Sequence, residues 1–176
     1  PGRAICEATV EEIGGPPEAT VFCSGLRTSA LNAALVNSFL VRFLDYNDIG
    51  GGSHNSDALA SILAVAEREK SSSKDFLTSL VTSYELGARF RESHTSSLRD
   101  IRSLKNKGWT WDIRAGLTQP PALGKMMRLN EEQIANAIGI CMSHTLPMAI
   151  LDADREENVM AKNLRFGWAA HDAILA

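Results

Sequence analysis

The spacing of hydrophobic residues along this chain is that of helices. Apolar side chains recur mainly at three- and four-residue intervals, and the strict alternation of a half-buried strand is nearly absent. Residues 29–41 contain no charged side chain. Leu31, Leu35 and Phe39 form one apolar face of the segment, and other apolar residues cover a second face. A helix that is apolar nearly all round is a buried one. We therefore predict an all-α fold, a helical bundle around a buried central helix at residues 29–43.

Capping residues divide the rest of the chain into further helices. Ser72 with Asp75 resembles an N-terminal capping arrangement, and Asn130 with Gln133 has the spacing of a capping box. Together with the apolar spacing, these signals predict helices at residues 56–69, from about residue 72, at 131–146, and from residue 162 or 163 to the end.

Glycine and proline mark the places where regular structure is expected to fail. Gly14-Gly15-Pro16-Pro17 reads as a loop, so residues 1–26 are predicted to be an irregular lead-in with a short extended segment near 19–22. The helical domain is then expected to span residues 27–176. Pro120-Pro121 is predicted to start or to interrupt a helix, because proline suits the first turn and not the interior.

The composition is that of an ordinary folded protein. Hydrophobic residues make up 44% and charged residues 22%, and the net charge is −3 with basic and acidic residues interspersed. This balance argues against a nucleic acid or an anionic membrane as partner, and we expect neither. No stretch is apolar for long enough to span a bilayer.

The cysteines indicate a reducing compartment. Cys6, Cys23 and Cys141 are few, odd in number and far apart, which does not suit a disulfide framework. We expect a cytoplasmic protein, or a mitochondrial one in a eukaryote. CxxC and HExxH spacings are missing from the sequence, so no metal site is predicted.

Both ends of the sequence look like points within a longer protein. The first residues are neither a signal peptide nor an initiating methionine, and the last ones continue a helical pattern without a capping signal. We therefore expect a partial helical domain.

The candidate chemistry lies at the end of the central helix. Asp45 and Asp48 are followed by a glycine run and His54, and a carboxylate beside an imidazole can move a proton. The alternative is an ordinary solvated loop. Lys162 opens the last helix, where a cation opposes the helix dipole, so an anionic ligand would explain it. The alternative there is a surface lysine lying along Phe166.

The order of several motifs resembles the MmgE/PrpD family. A buried helix ends in Asp45-Tyr46-Asn47-Asp48, and His54-Asn55-Ser56-Asp57 stands where the family carries a His-Pro-Ser-Asp element. Further similar stretches are Lys107-Gly108-Trp109, residues 124–134, and residues 157–170 around Lys162. The resemblance extends from about residue 8 to the end.

The resemblance implies an enzyme. Members include 2-methylcitrate dehydratases of propionate metabolism and cis-aconitate decarboxylases, which use no metal or organic cofactor and usually form dimers. Their large helical domain is accompanied by a smaller α/β lid, which we expect to be absent from this chain. By match to the family motifs, Asp45, His54 and Lys162 are predicted to be catalytic. A base must also take a proton from carbon, and the sequence leaves that group open.

Neighbouring positions are assigned to the substrate, and some depart from the family. Asp48, Ser56 and Trp111 are the predicted substrate-binding residues for a di- or tricarboxylate. Relatives often carry threonine where Ile49 stands and a histidine where Trp111 stands. These departures keep a second hypothesis open, a non-catalytic helical module for assembly or dimerisation. The leading hypothesis remains a lyase, most simply a hydro-lyase of the 2-methylcitrate dehydratase type.

Overall fold

The computed structural model describes residues 2–49, 54–95, 111–144 and 161–176. Within these ranges the regular secondary structure is helical apart from one pair of very short antiparallel strands, which confirms the all-α prediction. The elements are α1 (Gly2–Ile13), β1 (Ala19–Thr20), β2 (Arg27–Thr28), α2 (Ala30–Arg42), α3 (Leu59–Arg68), α4 (Ser73–Thr95), α5 (Ala115–Met126), α6 (Glu131–His144) and α7 (Ala161–Leu175). Short 3₁₀ turns, Asn55–Ala58 and Trp111–Arg114, lead into α3 and α5.

Helix α2 lies at the centre of the bundle, as predicted. It packs against α7, α3 and α1, and most of its side chains are buried. Small residues line much of this core, so the helices approach closely, and larger side chains such as Ile62, Leu123 and Phe166 fill the remaining space. No described helix has both the length and the apolarity that crossing a bilayer requires.

Side-chain caps start the helices where the sequence indicated. The Ser29 hydroxyl accepts a hydrogen bond from the Asn32 amide at the start of α2. Asn130 and Gln133 bond reciprocally at 2.9 Å, which confirms the capping box before α6. Ser72 accepts from the Asp75 amide before α4. Each cap satisfies an amide that the first helical turn leaves without a partner.

The prediction of an irregular lead-in is wrong for its first half. Residues Gly2–Ile13 form α1, and the glycine-proline run only ends it. At that end Gly14, with a φ of 65°, donates its amide to the Val10 carbonyl at 2.9 Å. The buried Val10 packs with Val21 and with α2, so tertiary burial stabilises a helix that the flanking loop residues concealed. The predicted extended segment is confirmed at Ala19–Thr20.

The proline pair neither starts nor breaks a helix. Helix α5 runs on through Pro120 and Pro121. Pro120 is fully buried in the core, so packing against the bundle accommodates a helix interior that lacks the amide donors of both prolines. Helix α4 begins where predicted and runs to Thr95. The end predicted for the helix at 131–146 lies outside the described residues.

Candidate active site

The end of the central helix turns Asp45 back toward the bundle. Arg42 occupies the last position of α2, and the Asp45 amide donates to the Arg42 carbonyl at 2.9 Å. Asp45 has a left-handed backbone with a φ of 53°, a conformation that aspartate tolerates better than most residues. Its carboxylate therefore faces α7 and does not continue outward along the helix axis.

The Asp45 carboxylate pairs with Lys162 in the first turn of α7. Lys162 Nζ donates to Asp45 Oδ2 at 2.6 Å across 117 residues of sequence, and Arg42 Nη2 lies 3.5 Å from Oδ1. The Lys162 hydrogen bond, opposed by partial burial and helped by the Arg42 charge, holds the pKa of Asp45 below its ordinary value. The Lys162 side chain is 13% exposed and that of Asp45 44% exposed, so the pair lies at a surface that a ligand can reach.

His54 is oriented by the loop that carries Asp48. Its Nδ1 lies 2.7 Å from the Asp48 carbonyl oxygen. A carbonyl only accepts hydrogen bonds, so Nδ1 carries the proton and Nε2 is the ring atom left for a ligand. When the His54 ring carries a second proton, its charge also favours the ionised Asp45 carboxylate.

The Asp48 carboxylate shapes this loop. Its Oδ1 accepts from the Ser56 amide at 3.1 Å, and it also accepts the hydroxyl of Tyr84 on α4. Burial raises the pKa of Asp48, but the Ser56 and Tyr84 hydrogen bonds outweigh it and the net pKa is lowered. The same environment raises the pKa of Tyr84 to about 12, through burial first and the bond to Asp48 second.

Two buried arginines lie beneath these residues and share Asp57. Arg42 Nε is 3.6 Å and Arg114 Nη2 is 3.8 Å from the two Asp57 oxygens. Arg114 also donates to the His54 carbonyl at 2.8 Å and to the Asn55 side chain at 2.9 Å. The arginines therefore tie the 3₁₀ turn, and with it His54, to the ends of α2 and α5. A small cavity beside them is lined by His54, Asp57, Arg114, Gln119 and Phe166.

The structure brings two of the three predicted catalytic residues into contact, and the roles of all three remain predictions. Asp45 and Lys162 are in contact, and His54 lies within range of a charge interaction with Asp45. Lys162 is therefore ion-paired, and the choice between a ligand-binding and a surface lysine stays a prediction. The Ser56 hydroxyl accepts from Asn47, and Asp48 bonds Ser56 and Tyr84, so these two predicted substrate-binding residues hold the loop in shape.

The structure describes the backbone of Trp111 and not its side chain. Its backbone begins the 3₁₀ turn that carries Arg114, and its side chain lies outside the described residues. The predicted contact with substrate is therefore untested.

Sequence reasoning missed Arg42, Arg114 and Tyr84. Arg42 had a usable signal, because it is the single charge in the otherwise uncharged segment 29–43 and so enters the core with it. The sequence around Arg114 and Tyr84 carries no comparable signal. Their importance comes from contacts with residues far away in the chain.

Comparison with known proteins identifies a family for this chain. No curated protein matches the chain. The family model of the MmgE/PrpD N-terminal domain, in contrast, matches residues 1–176. Because the match covers the whole of the given sequence, the chain belongs to the MmgE/PrpD family, and it corresponds to the family's N-terminal domain.

Proposed function

We propose that this domain supplies acid–base and anion-binding groups to a lyase that acts on a small di- or tricarboxylate, with dehydration of 2-methylcitrate as the first candidate reaction. The observation that carries the proposal is the 2.6 Å pairing of Lys162 with Asp45, a carboxylate within range of the charge of His54. Family membership supports dehydratase-type chemistry at the coarser level.

The three side chains divide the work of an elimination. The C–H electron pair becomes the new double bond as the C–O bond breaks, so a proton must leave the carbon and a proton must reach the departing hydroxyl, which leaves as water. With its proton on Nδ1, His54 has a lone pair on Nε2, which in this proposal accepts the proton from carbon and then delivers it to the hydroxyl. Lys162 binds a substrate carboxylate, and Asp45 keeps the ammonium charged and in place.

The test uses Lys162→Met in the intact protein, with Lys125→Met as the matched control. Lys125 is an exposed lysine in the last turn of α5. We expect kcat/KM for 2-methylcitrate, or for the best acid of a panel with citrate and cis-aconitate, to fall about 100–1,000-fold in Lys162→Met, because a preorganised charge at the reacting anion is lost. Lys125→Met should match the wild type. Equal activity of the two variants would remove Lys162 from the mechanism.

A second candidate function is a non-catalytic assembly module that forms a homodimer. It is favoured by an apolar strip on α4, where Leu77 is 56% and Val81 is 65% exposed. Calorimetric titration of the intact protein separates the two candidates. An enzyme should bind one of the three acids with an affinity that falls as salt is added. Absence of binding, together with self-association that Val81→Lys abolishes, would favour the module.

A further inference from the structure

Arg42 is an unusual cation for its position. It is 3% exposed and closes a helix of apolar and small residues. A buried charge is costly unless its surroundings compensate it. The helix C-terminus favours a cation modestly, and the Phe166 ring lies 4.0 Å beneath the guanidinium carbon. Phe166 is one turn after Lys162 on α7, so the stacked ring also links Arg42 to the helix that carries the site lysine.

The guanidinium of Arg42 contacts three separate parts of the site. Nη2 lies 3.5 Å from Asp45 Oδ1, Nη1 donates to Asn47 Oδ1 at 3.4 Å, and Nε lies 3.6 Å from Asp57 Oδ1. Arginine suits this arrangement because its donors project from one rigid plane, which a lysine ammonium cannot reproduce.

The two oxygens of Asp45 are divided between two cations. Arg42 lies against Oδ1 from inside the protein, and Lys162 binds Oδ2 from the accessible side. A carboxylate held at one oxygen cannot rotate without losing that contact, so the other oxygen keeps its direction. The left-handed turn at Asp45 begins at the Arg42 carbonyl, so the same residue supports both the backbone and the side chain of Asp45.

We infer that Arg42 is a positioning residue that fixes the Asp45 carboxylate and thereby aims Lys162, without touching substrate itself. The inference rests on the proposed function for its catalytic consequence. The competing explanation is that Arg42 only neutralises Asp57 in the core. Arg114 allows the two explanations to be separated, because it is also buried and shares Asp57, but it binds the His54 backbone and the Asn55 side chain.

The first measurement needs no enzymatic activity. The intact protein, labelled with ¹³C at the aspartate carboxyl carbons, is titrated as wild type, Arg42→Gln and Arg114→Gln. Removal of an adjacent cation disfavours the ionised carboxylate, so the pKa of Asp45 should rise in Arg42→Gln. In Arg114→Gln it should stay at the wild-type value. An unchanged Asp45 titration in folded Arg42→Gln, or the same rise in both variants, would overturn the inference.

Arg42→Lys covers the case in which Arg42→Gln does not fold. It retains the charge but not the planar fork, so the ¹H–¹⁵N signal of the Lys162 ammonium, which the Asp45 hydrogen bond protects from exchange, should be lost. A retained signal would contradict the positioning role.

Kinetics supply the catalytic half of the test. We expect kcat of Arg42→Lys to fall about 10–100-fold with KM nearly unchanged, because a misdirected group slows the reaction without removing a substrate contact. Wild-type kcat would refute the inference. If the wild type turns over none of the acids, the proposed function fails, while the Asp45 titration and the ammonium signal still decide the role of Arg42.

Discussion

Asp45 shows how a single residue connects backbone geometry to charge. Its left-handed conformation ends α2 and returns the carboxylate to Arg42 and Lys162. The cost of that conformation is small for aspartate and is offset by two ionic contacts. Asp45, which the sequence predicts to be catalytic, is thus also a structural link between α2 and α7.

Tyr84 provides the pH prediction at this scale. Its pKa is raised to about 12, so its hydroxyl should stay protonated at pH 11. The chain has two tyrosines, so Tyr46→Phe leaves Tyr84 as the single tyrosine to be followed by absorbance. In this background Asp48→Asn should lower the Tyr84 pKa, because a charged acceptor favours the neutral phenol.

The raised pKa of Tyr84 also makes the stability of the fold depend on pH. A pKa that folding raises contributes stability that is fully present below the ordinary value of 10.0 and is lost as the pH rises toward about 12. The urea midpoint of unfolding should therefore fall less between pH 9 and pH 11 in Tyr84→Phe than in the wild type. Titration of Tyr84 near pH 10 in the folded protein would contradict the hydrogen bond to Asp48.

At the scale of elements, one close crossing holds the lysine helix against the central helix. Gly167 of α7 faces α2 so closely that an added Cβ would lie 2.6 Å from the Leu35 carbonyl oxygen. Backbone cannot yield as a flexible side chain does. The glycine therefore sets the distance between the helices that carry Lys162 and Arg42.

Replacement of Gly167 by alanine should separate α7 from α2. We expect Gly167→Ala to destabilise the protein by about 1–3 kcal/mol, as overpacking does in well-packed cores. Gly139→Ala is the control on α6, where nothing lies within 4 Å of the added carbon, and alanine should stabilise that helix by up to about 1 kcal/mol. Denaturant unfolding of both variants measures the difference, and equal effects would show that the crossing is loose.

At the scale of the whole molecule, the site depends on segments that are distant in the chain. The ends of α2 and α5, the turn before α3, the middle of α4 and the start of α7 each contribute at least one charged or polar group. The cations Arg42, Arg114 and Lys162 already have carboxylate partners, Asp45 or Asp57. Lys162 is the most accessible of the three, so an anionic ligand gains most by competing with Asp45 for its ammonium.

Ligand binding should therefore stabilise the whole fold through Lys162. An acid at 100 times its Kd adds about 2.7 kcal/mol to the free energy of unfolding, which raises Tm by several degrees. We expect this shift with a di- or tricarboxylate in the wild type, a smaller shift at high salt, and none in Lys162→Met. A thermal shift in Lys162→Met equal to that of the wild type would place the anion elsewhere on the protein.

The sequence by itself determined the helical class, the buried central helix and the starts of α2, α4 and α6. These features depend on apolar spacing within a few turns and on caps that reach three residues along the chain, so the information is local. The family motifs also named Asp45, His54 and Lys162 before any geometry was known.

Only the tertiary structure decided which atoms meet. The ion pair of Lys162 with Asp45, the shared use of Asp57 by two arginines and the bond from Tyr84 to Asp48 join residues far apart in sequence. Helix α1 belongs to the same group, since burial of Val10 against α2 stabilises it despite the loop residues that follow. Such contacts carry no periodic signal, because their energy comes from burial and charge proximity that exist only once the helices have packed.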